Sequence, residues 1–209
     1  MKIICIGRNY RDHIKEFDNG EPSAEPIYFL KPDTAMLRNN DTFYIPTFSQ
    51  RVEYETELVV KINRVGKAIS PRFAHKYYDE VGLGIDFTAR DLQRKAIEAG
   101  LPWEQAKGFD RSAAISPRFL SLSELGGDVQ NLRFEMTLNG EVRQSGFTGD
   151  MIWSVNELIC YVSQFMTLRT GDLIFTGTPS GVGPVSRGDV LRATLCGEEL
   201  FNFDIRSHC

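Results

Sequence analysis

No stretch constrains this chain more than Val52-Glu53-Tyr54-Glu55-Thr56-Glu57-Leu58-Val59-Val60. Side chains in a β-strand repeat every two residues, so Glu53, Glu55 and Glu57 are expected on one face, with Val52, Tyr54, Thr56, Leu58 and Val60 on the other. Facing water, such acids are solvated and screened, and they form an ordinary charged outer face. Enclosed, they stay ionised only beside bases or a bound cation, because an unpaired buried charge is very costly. The strand alone leaves both readings open.

Anything that encloses this face must come from the rest of the chain. At 209 residues and 42% hydrophobic content, a single domain over 1–209 is expected. A domain of that size buries about 70% of its unfolded surface. The 24 basic and 28 acidic residues give a net charge of -4 with no basic run, which argues against nucleic acid or an anionic membrane as partner and for a small ligand. Cys5, Cys160, Cys196 and Cys209 are scattered and lack a C-x-x-C spacing, which suits reduced thiols in a cytoplasmic protein. Histidine occurs only at 13, 75 and 208, so a His-rich metal site is not expected. The apolar run at the N-terminus is too short for a signal peptide, and no run reaches membrane-spanning length.

In chain order, Lys2 to Ile6 reads as a buried strand and Gly7-Arg8-Asn9-Tyr10 as a polar turn. The turn delivers His13 and Glu16, which three-residue spacing places side by side on a helical turn. The carboxylate then orients the imidazole, or the two form an ordinary surface pair. Residues 18 to 26 are rich in breakers and read as a mobile loop, and 8 to 26 as a segment able to close as a lid. Ile27 to Leu30 reads as a second buried strand, and Thr42 to Ile45 as a short third. Ser70-Pro71 starts a helix expected to run to about Glu80. Val81 to Phe87 reads as a buried strand ending near Asp86, and Ala89 to Ala99 as a helix closed by Gly100. Asp86 is placed as a ligand or as a helix cap. Lys107 falls in a loop-like stretch from Ala106 to Asp110. Asn139-Gly140 signals a hairpin, Ser154 to Glu157 has capping-box spacing before an apolar helical stripe, and Gly177 to Gly183 is a glycine-rich turn that lacks the ending of a P-loop. The chain closes with strands at Asp189 to Leu195 and Leu200 to Ile205.

Taken together, these segments resemble the fumarylacetoacetate hydrolase family, most closely its short single-domain acylpyruvate hydrolase branch. The resemblance rests on Gly7-Arg8-Asn9-Tyr10 with His13 and Glu16, Phe29-Leu30-Lys31-Pro32, Glu55-Thr56-Glu57-Leu58, Asp86-Phe87-Thr88-Ala89-Arg90-Asp91, Gly100-Leu101-Pro102-Trp103 with Lys107, and Thr176-Gly177-Thr178-Pro179-Ser180-Gly181-Val182-Gly183. It implies an α+β fold, a β-rich mixed-sheet roll with flanking short helices, assembled as a homodimer. It also implies a divalent metal on Glu55, Glu57 and Asp86. Three carboxylates suit a hard octahedral cation, Mg²⁺ first and Mn²⁺ second. The chain departs from the family pattern at Glu53-Tyr54, where relatives often carry two histidines. Glu53 either adds charge near the metal or points to solvent.

The same resemblance implies hydrolysis of a 3-acylpyruvate or similar 2,4-dioxo acid, with oxaloacetate decarboxylation, isomerisation or hydration of a related 2-oxo acid, or a non-catalytic metal-binding role as alternatives. His13, aligned by Glu16, is the expected general base and Lys107 the positive charge near the developing oxyanion. Arg8, Tyr10, Gln93 and Thr178 are the expected substrate contacts.

Overall fold

The structure, a computed structural model, describes residues 1–17 and 21–207, and of Phe17 the backbone alone. The first half runs β1 (Ile3–Ile6), α1 (Arg11–Phe17), β2 (Tyr28–Lys31), β3 (Met36–Leu37), β4 (Phe43–Ile45), β5 (Val52–Tyr54), β6 (Thr56–Ile62) and α2 (Pro71–Ala74). Then come β7 (Tyr78–Asp86), β8 (Thr88–Ala89), α3 (Arg90–Glu98), α4 (Glu104–Lys107), β9 (Ala113–Ile115) and β10 (Leu120–Ser121). The last part is β11 (Arg133–Leu138), β12 (Glu141–Phe147), α5 (Val155–Phe165), β13 (Leu173–Phe175), β14 (Gly183–Pro184), β15 (Val190–Leu195) and β16 (Glu198–Ser207). The fold is α+β, with curled mixed sheets and few, short helices.

An eight-stranded sheet in the order β2-β1-β13-β6-β7-β9-β3, with β10 also on β7, forms the body. β1 lies parallel to β13 and antiparallel to β2. Its four residues are all buried, which is why it reads as an unbroken apolar run rather than an alternating one. The centre is the β6–β7 pair, with Leu58 opposite Leu83 and Val60 opposite Val81. Gly84 in β7 is needed here, because a Cβ on it would lie 2.5 Å from the Phe175 ring and 2.7 Å from the Ala114 carbonyl. Phe43 stacks on Phe87 with ring centroids 3.7 Å apart, packing aromatic bulk behind the end of β7 where Asp86 sits. A five-stranded sheet, β12-β11-β15-β16-β4, and a three-stranded one, β14-β5-β8, complete the architecture.

The hairpin signal at Asn139-Gly140 is realised between β11 and β12, with φ of 54° and 85° at the two turn residues. The capping box of α5 also forms: the Ser154 hydroxyl accepts from the Glu157 amide, the Glu157 carboxylate accepts from the Ser154 amide, and Val155, Leu158, Ile159 and Val162 are buried.

Four expectations need correction. The acidic run is two strands, not one, because the chain breaks at Glu55 and passes from the three-stranded sheet to the large one, and Glu53, Glu55 and Glu57 are all buried. The helix from Ser70 ends at Ala74, since Tyr78 is already paired with Ile62 in the β6–β7 ladder. The strand at 27–30 is Tyr28–Lys31, an edge strand whose only buried residue is Lys31. Lys107 lies on a short helix rather than in a loop. Within the supposed lid, Asp18 to Gly20 fall outside the described residues, while Arg11 to Phe17 is helical.

Candidate active site

Glu55 leaves the break between β5 and β6, Glu57 projects from β6, and Asp86 ends β7, which pairs with β6. Each of the three offers an oxygen, and those oxygens lie within 4.8 Å of one another with all three residues buried. Such a cluster is expensive unless positive charge compensates it. The Lys107 ammonium stands 2.6 Å from Glu55 Oε2 and 2.9 Å from Asp86 Oδ2. The Lys31 ammonium stands 2.7 Å from Asp86 Oδ1. It also donates to the Ser112 hydroxyl and carbonyl at 3.0 and 3.1 Å, to the Phe87 carbonyl at 3.3 Å and to the Lys107 carbonyl. Lys31 therefore ties the β2 edge to the short helix that carries Lys107.

Arg90, first residue of α3, closes the other flank. It donates from Nη2 to Glu55 Oε1 at 2.5 Å, from Nε to Glu53 Oε2 at 2.6 Å and from Nη1 to Gln93 Oε1 at 2.5 Å. Glu53 neither joins the three-acid cluster nor faces solvent. It is buried and held by Arg90 and by Arg51, whose Nε lies 2.5 Å from its Oε1.

These neighbours split the acids electrostatically. Burial opposes ionisation of Glu55, but Lys107 and Arg90 outweigh it and hold the carboxyl well below the usual range. Among the described residues no base pairs directly with Glu57, whose charge Lys107 supports only weakly. Burial first, then Asp86 and Glu55, push it well above the usual range, although the Gly177 amide donates to its Oε2 at 2.6 Å. Burial also works against the charge of Lys107, but Asp86 and Glu55 prevail and raise its pKa.

The imidazole of His13 is buried, with Nδ1 3.6 Å from Glu16 Oε2. Glu16 Oε1 accepts from the Gly181 amide at 2.8 Å, so the glycine-rich turn docks the helix that carries the dyad. Burial opposes its charge, and the nearby His13 with the Gly181 amide nevertheless leave the Glu16 carboxyl below its ordinary value. Asn9 fixes the turn before that helix. Its side-chain amide donates to the Thr176 carbonyl at 2.7 Å and to the Trp153 carbonyl at 3.0 Å, and its oxygen accepts from the Trp153 amide at 2.7 Å.

A cavity of about 60 Å³ joins these groups, lined by Arg8, His13, Glu55, Arg90, Gln93 and Lys107 among others. It has room for a few waters or for the head of a small acid. A wider cleft shares Arg8, Arg90 and Gln93 with it and adds Arg51 and Arg94. Two expected contacts, Thr178 and Tyr10, are not among the residues that line this cavity. The Thr178 hydroxyl is engaged, donating to the Thr56 carbonyl at 2.9 Å and accepting from Gln144 at 2.8 Å. Tyr10 lines a separate cleft, and its buried hydroxyl has no hydrogen-bond partner among the described residues. Lys31 and Arg90 were given no role by the sequence reading. The signal available was a lone lysine closing an edge strand and an arginine opening the helix directly after Asp86.

A β-rich mixed fold that brings His13, Glu55, Arg90 and Lys107 onto one small cavity, backed by two further buried acids and Lys31, defines an enzyme site of the kind that handles a small anionic ligand. The sequence model of the family fumarylacetoacetate (FAA) hydrolase C-terminal matches residues 2–202, and the chain belongs to that family of enzymes. An oxaloacetate tautomerase of Escherichia coli (strain K12) is 42% identical over 199 residues, 95% of this chain and 90% of that protein. The mitochondrial oxaloacetate tautomerase of Bos taurus is 40% identical over 203 residues, 97% of this chain and 90% of that protein. The crystal structure of a fumarylpyruvate hydrolase from Pseudomonas aeruginosa in complex with Mn²⁺ and pyruvate superposes with a TM-score of 0.92 at 36% identity, covering 100% of this chain and 90% of that one. Among the described residues no helix is long and apolar enough to cross a membrane.

Proposed function

We propose that this enzyme moves a proton at C3 of a short 2-oxo acid, with oxaloacetate as the substrate that fits best and keto–enol tautomerisation as the reaction. The observation that carries the reading is that His13, backed by Glu16, opens on the same small cavity as Glu55 and Lys107. The arginines of the adjoining cleft suit the second carboxylate of a C4 dicarboxylate.

The three acids fit a divalent cation. Their chemistry is all hard oxygen, and Glu57 is the buried carboxyl whose charge the neighbouring bases do not offset. We assign Glu55, Glu57 and Asp86 as its ligands, with Mg²⁺ first and Mn²⁺ second. When bound, the cation supplies Lewis acidity toward the substrate's keto and carboxylate oxygens.

The chain's own groups do the rest. Glu16 faces Nδ1 of His13, which assigns proton exchange with the substrate to Nε2. His13 takes a proton from C3, and negative charge develops on the C2 oxygen. Lys107, kept cationic by Asp86 and Glu55, stabilises that charge. Return of the proton to the oxygen or to C3 completes the interconversion. Arg8 and Gln93 on the cavity wall orient the carboxylates.

Hydrolysis of a 3-acylpyruvate is a second reading, favoured by the likeness to the fumarylpyruvate hydrolase. There His13 takes its proton from water, the hydroxide adds to the distal carbonyl, and the carbon–carbon bond breaks to release a carboxylic acid and pyruvate through its enol. The same site accommodates loss of CO₂ from oxaloacetate without a water nucleophile. We place the enzyme in the cytoplasm as a homodimer, in keeping with the free thiols of Cys5, Cys160 and Cys196.

The deciding experiment follows the ultraviolet absorbance of the oxaloacetate enol, with pyruvate release from oxaloacetate and acetylpyruvate measured in parallel, with Mg²⁺ or Mn²⁺ and with chelator. Fast metal-dependent approach to the keto–enol equilibrium supports the tautomerase reading. Pyruvate release from acetylpyruvate without enol interconversion supports the hydrolase. Undiminished turnover of either substrate in chelator overturns the assignment of the acids.

A further inference from the structure

Arg90 is shared between two carboxylates. A guanidinium is a planar fork that normally clasps one carboxylate with two parallel hydrogen bonds. Here Nε goes to Glu53 and Nη2 to Glu55, each by one bond, while Nη1 goes to Gln93. Glu53 belongs to β5 and Glu55 to the break beyond it, and the two carboxylates each take a different donor of the fork. Glu53 is itself anchored from outside by Arg51, whose side chain is half exposed.

We infer that Glu53 is a positioning residue that keeps Arg90 from closing on Glu55 as a two-pronged pair, and so preserves Glu55 as a metal ligand. The inference rests on the metal assignment above. Arg90 is buried, so the loss of a carboxylate partner is costly to it. Without the Glu53 carboxylate, the bare Nε donor has Glu55 as its nearest anionic acceptor. A Glu55 clasped by Nε and Nη2 on one side, with Lys107 on its other oxygen, offers a cation much less. Glu53 thus tunes the metal site without touching the metal.

The test measures Mn²⁺ binding by titration calorimetry on the full chain without substrate, beside circular dichroism to verify folding. Glu53→Gln removes the charge, and Glu53→Asp keeps the charge but shortens the reach. Groups behind metal ligands typically change affinity by about 10–100-fold when altered, and a loss of about tenfold is expected for both variants. The decisive background is Arg90→Lys, which preserves the positive charge but cannot clasp a carboxylate with a fork. There, Glu53→Gln should cost several-fold less Mn²⁺ affinity than it does with Arg90, because the loss of through-space charge is common to both backgrounds and only the clasp is missing. An equal loss from Glu53→Gln with Arg90 and with Lys at 90 overturns the inference in favour of simple charge, as does a Glu53→Asp protein that binds like the parent. If Glu53→Gln fails to fold, the folded Glu53→Asp protein decides the matter alone. A parent protein that binds no Mn²⁺ at all instead overturns the metal assignment, which is a different result.

Discussion

Replacing Lys31 with methionine tests whether its ammonium organises the site. The side chains are similar in volume, so the change removes charge and donors without opening a large cavity. In the parent the ammonium is buried, lies 2.7 Å from Asp86 Oδ1, and donates to the Ser112 hydroxyl and to the carbonyls of Phe87, Lys107 and Ser112. Asp86 keeps Lys107 at 2.9 Å, so the loss is one of two cations rather than complete exposure of a bare charge. Removing one partner of a buried pair costs ~3–5 kcal/mol, with the stranded carbonyls pulling toward the upper end and relaxation around Asp86 toward the lower. For a chain of this size ~1 kcal/mol corresponds to roughly 2–4 °C, so Lys31→Met should lower Tm by roughly 6–20 °C. Scanning calorimetry in chelator is the assay. Repeating it in saturating Mn²⁺ adds a second expectation. An Asp86 short of positive charge gains more from the cation, so the Mn²⁺-induced rise in Tm should be larger in the variant than in the parent. A loss in chelator under about 2 °C, less than ~1 kcal/mol, shows that the carbonyls and Asp86 do not depend on this ammonium, and refutes the reasoning.

Gly177→Ala should be doubly damaging, because its φ is +96° and a Cβ would lie 2.6 Å from Asn9 Cβ, while its amide donates to Glu57. Weakened Mn²⁺ binding with a lower Tm is expected, and an unchanged affinity removes the turn from the site. Glu57 predicts a pH dependence. Its carboxyl is raised in the fold by burial, Asp86 and Glu55, so the metal-free native state holds a proton that the unfolded chain releases. Metal-free stability from this group therefore falls as pH rises above the ordinary carboxylate value of about 4.3 toward the raised one, and metal uptake in that window releases a proton. Calorimetry in buffers of different ionisation enthalpy measures that release, and its absence counts against the assignment of Glu57. His13→Ala should slow proton transfer at C3, and any acylpyruvate hydrolysis, by ~10²–10⁴-fold. Oxaloacetate decarboxylation should suffer far less, and Glu16→Ala should show the same bias more weakly. Equal losses in all reactions, with metal binding intact by titration, make the dyad a positioning element rather than a base.

Much of this molecule was legible in residue order where the signal is local. The alternating acids and the strand-end Asp86 left their role open, and the family resemblance singled out Glu55, Glu57 and Asp86, an oxygen of each of which the structure brings within 4.8 Å of the others. Asn139-Gly140 marked its hairpin and Ser154 to Glu157 its capping box, because both are settled within four residues by backbone conformation and one side-chain hydrogen bond. The three-residue spacing of His13 and Glu16 likewise set the dyad side by side.

Tertiary structure alone decided how the charges are matched. The alternation that grouped Glu53 with Glu55 and Glu57 could not show the break at Glu55, because that break reflects two sheets meeting, one held by β8 and β14 and the other by β7 and β13. Glu53 went to Arg90, 37 residues away, and Lys31 to Ser112, 81 residues away. Thr178 was committed to Thr56 and Gln144 across the sheets, at separations of 122 and 34 residues. Periodicity tells which face a side chain occupies. Which buried carboxylate meets which base depends on what packing brings within about 3 Å, the range over which a charge-assisted hydrogen bond offsets desolvation.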